Sequence, residues 1–233
     1  MNSTGARALI DVLLEQGVDT VFGYPGSAVL DIYDELYKCD KIRHILTCHE
    51  QAAAHAADGY ARATGRTGVV IATSGPGATN LVTGIAAAYM DSSPVVAITG
   101  NVKTSLLGSD SFQEVDIAGV TMPVTKYSFI ASGERGVAQD VREAFSIAQS
   151  GRKGPVLVDI PADIAAQSEE YERAPKSEPA PAKEPEEKEL ERAAQMIAKA
   201  KRPLIYVGGG AISSGASDAL KIFAQKLHIP VAC

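Results

Sequence analysis

Glu50 opens the most one-sided stretch of the chain, TCHEQAAAHAADGYARATG from Thr47 to Gly65, in which a single acid heads a run rich in Ala. An acid near a helix N-terminus is favoured by the helix dipole, typically by about 0.3–1 kcal/mol, and that alone accounts for its position. The Ala residues allow a second reading. Small side chains let another helix or a flat ring press close and take a carboxylate out of water. Burial then favours the protonated form, so such an acid can hold or share a proton near neutrality. His49 and His55 flank Glu50, but no third ligand lies at helical spacing, which argues against a metal held by them. Three further stretches carry polar groups or glycines at probable turns: GYPGSA at 23–28, TSGPGATN at 73–80 and TGNVKTS at 99–105. Gly and Pro at strand-to-helix turns let backbone approach a bound ring or phosphate. None matches the spacing of a dinucleotide fingerprint or a Walker loop.

These stretches gain meaning from the elements around them. Short apolar β-rich runs at 20–24, 44–48, 68–73, 94–100 and 154–160 alternate with helical patterns at about 3–16, 27–37, 50–64, 77–90 and 136–150. Continuous apolar strands have both faces covered, and strand-helix alternation implies right-handed crossovers. The expectation is an α/β fold, an open and mostly parallel sheet with helices on both faces. In such sheets ligands gather outside the carboxyl ends of the strands, where all four stretches fall.

From Ser168 to Glu189 the composition changes to charged residues with Pro175, Pro179, Pro181 and Pro185, and this reads as a linker. The expected organisation is a first domain over 1–167, a linker over 168–187 and an incomplete second α/β domain over 188–233. The second region holds helices near 187–200 and 216–227 and strands at 203–208 and 228–232. Two strands cannot be covered on both faces by so little chain, so a fragment of a longer polypeptide is expected.

The 233 residues are 45% hydrophobic and 21% charged, ordinary for a globular protein, and no apolar run approaches the roughly 18 residues of a membrane span. A net charge of −6 without a Lys/Arg cluster argues against nucleic acid. The first residues, with Asp11 and Glu15 among the apolar ones, form an amphipathic helix rather than a secretion signal, so a cytoplasmic location is expected. Three cysteines without C-x-x-C spacing support neither a disulfide framework nor a zinc site.

In this order, GYPGSAVLDIYDEL, HEQAAAHAADGYARATG, TSGPGATNLVTGIAAAYMDSSPVVAITG, DSFQEVDI and GPVLVDIP resemble the N-terminal half of the acetolactate synthase (acetohydroxyacid synthase) large subunit, over nearly the whole chain. The resemblance implies a thiamine diphosphate enzyme with a pyrimidine-binding domain, a central FAD domain and a C-terminal domain that binds the diphosphate through Mg²⁺. It implies that Glu50 hydrogen-bonds the ring nitrogen N1′ of the aminopyrimidine, so that N4′ can take the thiazolium C2 proton. Pyruvate would then lose carbon dioxide, and its two-carbon unit would join a second 2-oxo acid. By the same matching Pro25, Gly26 and Asn80 would line the cofactor pocket, and Phe112 and Gln113 would reach its reacting end. Arg152, Gly208, Gly209 and Gly210 would approach a structural FAD. A homodimer or homotetramer with sites between subunits is implied, with a small regulatory subunit as a further partner.

Departures leave the substrate open. Ser27, Cys48 and Ala52 replace the usual Gly, Arg and Gly, and Ala162 stands where biosynthetic relatives carry Lys and catabolic ones often Gln. Sister thiamine diphosphate enzymes, namely sulfoacetaldehyde acetyltransferases, oxidases and 2-oxo acid decarboxylases, are an alternative; a noncatalytic association or flavin-binding module is another. No GDG followed downstream by Asn, the family's diphosphate signature, occurs in the sequence, so the chain alone is expected to be inactive.

Overall fold

The computed structural model describes residues 2–176 and 184–233, and the chain divides into two units, Met1–Ala180 and Pro181–Cys233. In chain order the first unit contains β1 (Asn2–Thr4), α1 (Gly5–Glu15), β2 (Thr20–Tyr24), α2 (Leu30–Tyr37), β3 (Arg43–Leu46) and α3 (Glu50–Thr64). It continues with β4 (Gly68–Ala72), α4 (Pro76–Thr79), α5 (Val82–Met90), β5 (Val95–Asn101), α6 (Ile117–Thr121) and β6 (Tyr127–Ile130). It ends with α7 (Val137–Gln149), β7 (Val156–Pro161), α8 (Ala162–Ala166) and β8 (Ser168–Glu170).

Six strands form one parallel sheet in the order β3-β2-β4-β5-β7-β6. Its central strands are buried along their whole length, as continuous apolar runs require. Alternate side chains serve two cores. Val69, Ile71, Val96, Ile98, Val156, Val158 and Ile160 pack with α1, α2 and α7. Val70, Ala72, Val95, Ala97 and Leu157 pack with α3 and α5. The sheet therefore has helices on both faces.

Helix α3 lies close to the sheet because Gly68 lacks a side chain. A Cβ on Gly68 would stand 2.1 Å from the carbonyl oxygen of Ala57, a backbone atom with no freedom to move aside. Gly68→Ala is expected to cost about 2 kcal/mol in a urea melt through this overpacking.

Three local differences separate the structure from the sequence expectations. The edge strand β6 appears where no strand is predicted. The expected helix over 77–90 is two helices that meet at Asn80 and Leu81. The start of the expected linker is folded onto the first unit: β8 pairs antiparallel with β1, Tyr171 is buried, and the Ala174 N–H donates to Glu15 Oε1 at 2.9 Å. Residues 177–183 of that linker lie outside the described residues.

Glu15 makes that attachment specific. Its carboxylate accepts from Arg142 Nε and Nη2 at 2.9 Å each and from the Tyr171 hydroxyl at 2.5 Å. Burial pushes the Glu15 carboxyl up, but the bonds from Arg142, Tyr171 and Ala174 outweigh burial and hold it below the usual carboxylate range. Burial and the bond to Glu15 push the Tyr171 phenol up to about 12.

The second unit contains α9 (Glu187–Lys199), β9 (Ile205–Tyr206), α10 (Gly209–Ser213), α11 (Ser217–Leu227) and β10 (Val231–Ala232). β9 and β10 pair in parallel. Glu186 and Glu189 form a capping box at the head of α9, each side chain taking a backbone N–H of the other residue. No helix among the described residues is long and apolar enough to cross a membrane.

Candidate functional site

The carboxyl ends of β2, β3, β4 and β5 deliver four turns to one edge of the sheet, and their contacts build a recess around Glu50. After β2 the chain turns at Gly26, where a Cβ would fall 2.5 Å from Cβ and Cγ2 of Thr73. Only glycine lets this turn lie on the β4 turn. The Ala28 N–H then donates to Thr73 Oγ1 at 3.2 Å, tying the two turns together.

After β3, Thr47 Oγ1 donates to the carbonyl of His49 at 2.9 Å, and His49 Nδ1 accepts from the Gln51 N–H at 3.1 Å. His49 is thus the N-cap of α3. Glu50 is the first residue of that helix, yet its carboxylate does not bond its own helix. Oε2 accepts from Asn80 Nδ2 at 2.9 Å, thirty residues further on. Glu50 is 8% exposed, and its Oε1 has no hydrogen-bond partner among the described residues.

The Ala residues shield this acid by admitting a helix. Ala53, Ala54, Ala57 and Ala61 are buried, and a Cβ on Gly84 of α5 would stand 2.4 Å from that of Ala54. That close contact of α3 with α5 carries Asn80, just ahead of α5, to Glu50.

The turn after β4 meets the segment after β5. Gly75 has φ +56°, and a Cβ there would be 2.7 Å from the carbonyl oxygen of Gln113. Gln113 itself has φ +58°, in the left-handed region rarely used by residues with side chains. A Cβ on Gly77 would come 3.3 Å from Glu50 Oε1, so this glycine keeps the free oxygen reachable. Gly26, Glu50, Gly75, Gly77, Asn80 and Gln113 therefore share one recess. Pro25 and Phe112 are exposed beside it, Phe112 at 83%. Ser27 and Cys48 are exposed on the same turns.

Three groups near this edge escape a motif-based reading. The Tyr33 hydroxyl lies 3.2 Å from His44 Nε2, and burial, with the charge of Glu50 second, raises the Tyr33 phenol beyond its ordinary range. Burial lowers His44, favouring its neutral form. Asp159 on β7 is wholly buried and accepts from Thr99 Oγ1 at 2.6 Å and Asn101 Nδ2 at 2.5 Å. Burial pushes its carboxyl up to about 7 against those two bonds.

Of the remaining residues expected at a site, Arg152 stands away from this recess. Arg152 precedes β7, at the opposite edge of the sheet, where Nε donates to Ser92 Oγ at 2.8 Å and Nη2 to the carbonyls of Tyr89 and Met90 at 3.4 and 3.3 Å. It caps the end of α5. In the second unit Gly208 is the N-cap of α10 and Gly209 and Gly210 are its first residues, all exposed, with nothing within 4 Å of a Cβ built on any of them. They form no cradle that a side chain would fill. Among the described residues no group of three or more His, Cys, Asp or Glu could hold a metal ion.

The chemistry of the arrangement is that of a hydrogen-bond acceptor held at a fixed position. An oriented, shielded carboxylate offers one oxygen without a partner among the described residues, and the glycines around it let the neighbouring turns close against Thr73 and Gln113.

Comparison with known proteins accords with this geometry. The family model for the thiamine pyrophosphate enzyme N-terminal TPP binding domain matches residues 3–120, and that for the central domain of the same enzymes matches residues 190–233. The acetolactate synthase large subunit of Corynebacterium glutamicum is 52% identical over 231 residues, covering 98% of this chain and 37% of the relative. The acetolactate synthase of Arthrospira platensis is 51% identical, covering 98% and 41%. The acetolactate synthase isozyme 3 large subunit of Escherichia coli is 48% identical, covering 99% and 41%. The chain spans about two fifths of the length of these curated relatives.

Proposed function

Since the chain belongs to the thiamine pyrophosphate enzyme family, we propose that it supplies the pyrimidine-binding side of an acetolactate synthase active site. The observation that carries this reading is the Glu50 carboxylate, pinned at Oε2 by Asn80 and open at Oε1 over a glycine-lined recess. Thiamine diphosphate, when bound, supplies the acidic carbon at which a 2-oxo acid is decarboxylated and its two-carbon unit passed to a second 2-oxo acid.

The work of this chain is to hold a proton in place. Glu50 Oε1 would be the group that meets the ring nitrogen of the bound cofactor through a hydrogen bond. Asn80 fixes the carboxylate plane so that Oε2 cannot compete for that contact. Helix α5 and the buried Ala residues exclude water behind the carboxylate, which strengthens the hydrogen bond in front of it. Gly26 and Gly77 let the turns close on Thr73, and Gly77 keeps a side chain from crowding Glu50 Oε1. Gln113 stands at the far lip of the recess, placed to meet the substrate.

The proposal includes a second copy of the chain as the covering partner, with the exposed Leu46 and Phe112 at the rim available for burial. A small regulatory subunit, Mg²⁺ and FAD enter it through the resemblance, and no step above depends on them.

The 233 residues on their own are expected to make no acetolactate from pyruvate with thiamine diphosphate, Mg²⁺ and FAD, because the sequence holds no diphosphate signature. A protein extended to the length of the relatives is expected to make it. Product analysis of both checks the reading: turnover by the short chain refutes the division of labour, and decarboxylation without acetolactate in the long one refutes the acetolactate synthase assignment.

A further inference from the structure

We propose that Asp159 is a positioning residue for the segment 102–116, fixing through Asn101 the point at which the chain leaves β5 and so where Phe112 and Gln113 stand at the recess. Strand pairing sets Thr99 opposite Asp159 and Asn101 opposite Pro161. Asp159 and Thr99 are wholly buried, and Asn101 is 2% exposed. The orientation of the Asn101 amide follows from its other bond. Its Oδ1 accepts from the Val102 N–H at 2.8 Å, which leaves Nδ2 to donate to Asp159 Oδ2. The same side chain therefore reads Asp159 and turns the backbone of the departing segment.

The rest of the segment is held by exposed or partly exposed groups. Asp163 on α8 accepts from the Thr104 N–H at 2.9 Å and its hydroxyl at 2.5 Å. Glu114 accepts from the N–H groups of Gly108 and Ser111. Gln113 then lies against Gly75 in the recess. Of the three carboxylates that organise this segment, Asp159 alone is sealed from water.

A sealed carboxyl is costly when ionised unless a cation neutralises it. Its neighbours offer none. β5 presents Thr99 and Asn101, the head of α6 presents Asp116, and α8 presents Asp163. No Lys or Arg is bonded to Asp159 among the described residues. Oδ2 must accept from Asn101, so a proton on Asp159 sits on Oδ1, where it donates to Thr99 Oγ1 once that hydroxyl turns. The protonated form keeps the bond to Asn101 and is uncharged. Loss of the proton leaves a buried charge held by two hydrogen bonds and no bonded cation among the described residues, relieved when the 101–104 turn opens to water.

Burial raises the folded carboxyl to about 7 from an ordinary value of 3.8. The sign follows: the stability it contributes is complete below the ordinary value and is lost as pH rises through about 7. The role of the anchored segment in a reaction rests on the function proposed above, but its position does not require any activity to be measured.

Hydrogen exchange of the 233-residue protein at pH 5.5 and 8.5, corrected for intrinsic rates, reads the anchor directly. Protection in 102–116 is expected to fall roughly tenfold or more at the higher pH, since each unit of pKa difference is tenfold in opening. In Asp159→Asn, which keeps the shape and removes the titration, protection is expected to hold at both pH values. In Asp163→Asn the pH response is expected to persist. Equal protection at both pH values in the wild type, or an undiminished pH response in Asp159→Asn, overturns the proposal while leaving the role of Glu50 untouched. Should Asp159→Asn not fold, carboxyl-carbon NMR of the wild type decides: titration of Asp159 between pH 6 and 8 supports the anchor, and ionisation complete by pH 5 refutes it.

Discussion

Replacing Glu50 by Gln in a protein of the relatives' full length is expected to slow acetolactate formation by about 10²- to 10³-fold, within the range of a lost acid-base group. The exchange is nearly isosteric. The Gln carbonyl can still accept from Asn80 Nδ2, and the α3–α5 contact is made by Ala53, Ala54 and Ala57 rather than by residue 50. The fold should therefore survive. What changes is the open position, where an amide N–H₂ would face a ring nitrogen in place of an oxygen able to share a proton. Deuterium exchange at C2 of the bound cofactor isolates this step from the later ones and should fall by a similar factor. Unchanged exchange, with unaltered thermal melting, would remove Glu50 from the mechanism.

Arg142→Met should produce the largest loss of stability, about 3–5 kcal/mol in urea melts at pH 7, as for other broken buried ion pairs. The Glu15 side chain is 1% exposed and takes two bonds from the guanidinium. Methionine fills part of the space and leaves the carboxylate, among the described residues, with the Tyr171 hydroxyl and the Ala174 N–H. The pH dependence carries a sign. The folded Glu15 carboxyl lies below its ordinary value, so its stabilisation is present above the ordinary carboxylate range and is lost as pH falls through the folded value. The gap between wild type and variant should therefore narrow at acid pH. A gap of less than 1 kcal/mol at pH 7 would show that the pair is dispensable.

The sheet was legible because its strands are apolar runs of five to seven residues separated by helix-length patterns, and both signals are local. The strand Tyr127–Ile130 was not, because it lies at the sheet edge with every residue at least partly exposed and leaves no continuous apolar run. The motifs place Gly26, Glu50, Asn80 and Gln113 at one pocket, and the fold brings these residues to one end of the sheet. Thr73 lies in the TSGPGATN turn, yet its role depends on contact with Gly26, 47 positions earlier, which spacing does not encode. Asp159 was hidden inside the apolar GPVLVDI, where one acid among strand residues signals a buried partner without naming it. The reading of Ala53, Ala54 and Ala57 needed refinement for a similar reason. Small residues permit close approach, and only the fold decides that α5 makes it.

The attachment of residues 168–174 to the first unit has a mechanical consequence. Ala174 is bonded to the last residue of α1, beside the starting edge of the sheet, whereas the recess lies at the finishing edge. A pull on the chain beyond Ala174 would load the Glu15 network and then unzip β8 from β1. The Glu50 recess would sit outside the path of that force, so tension in the connecting chain would be discharged at the clip before any turn holding the ring could shift.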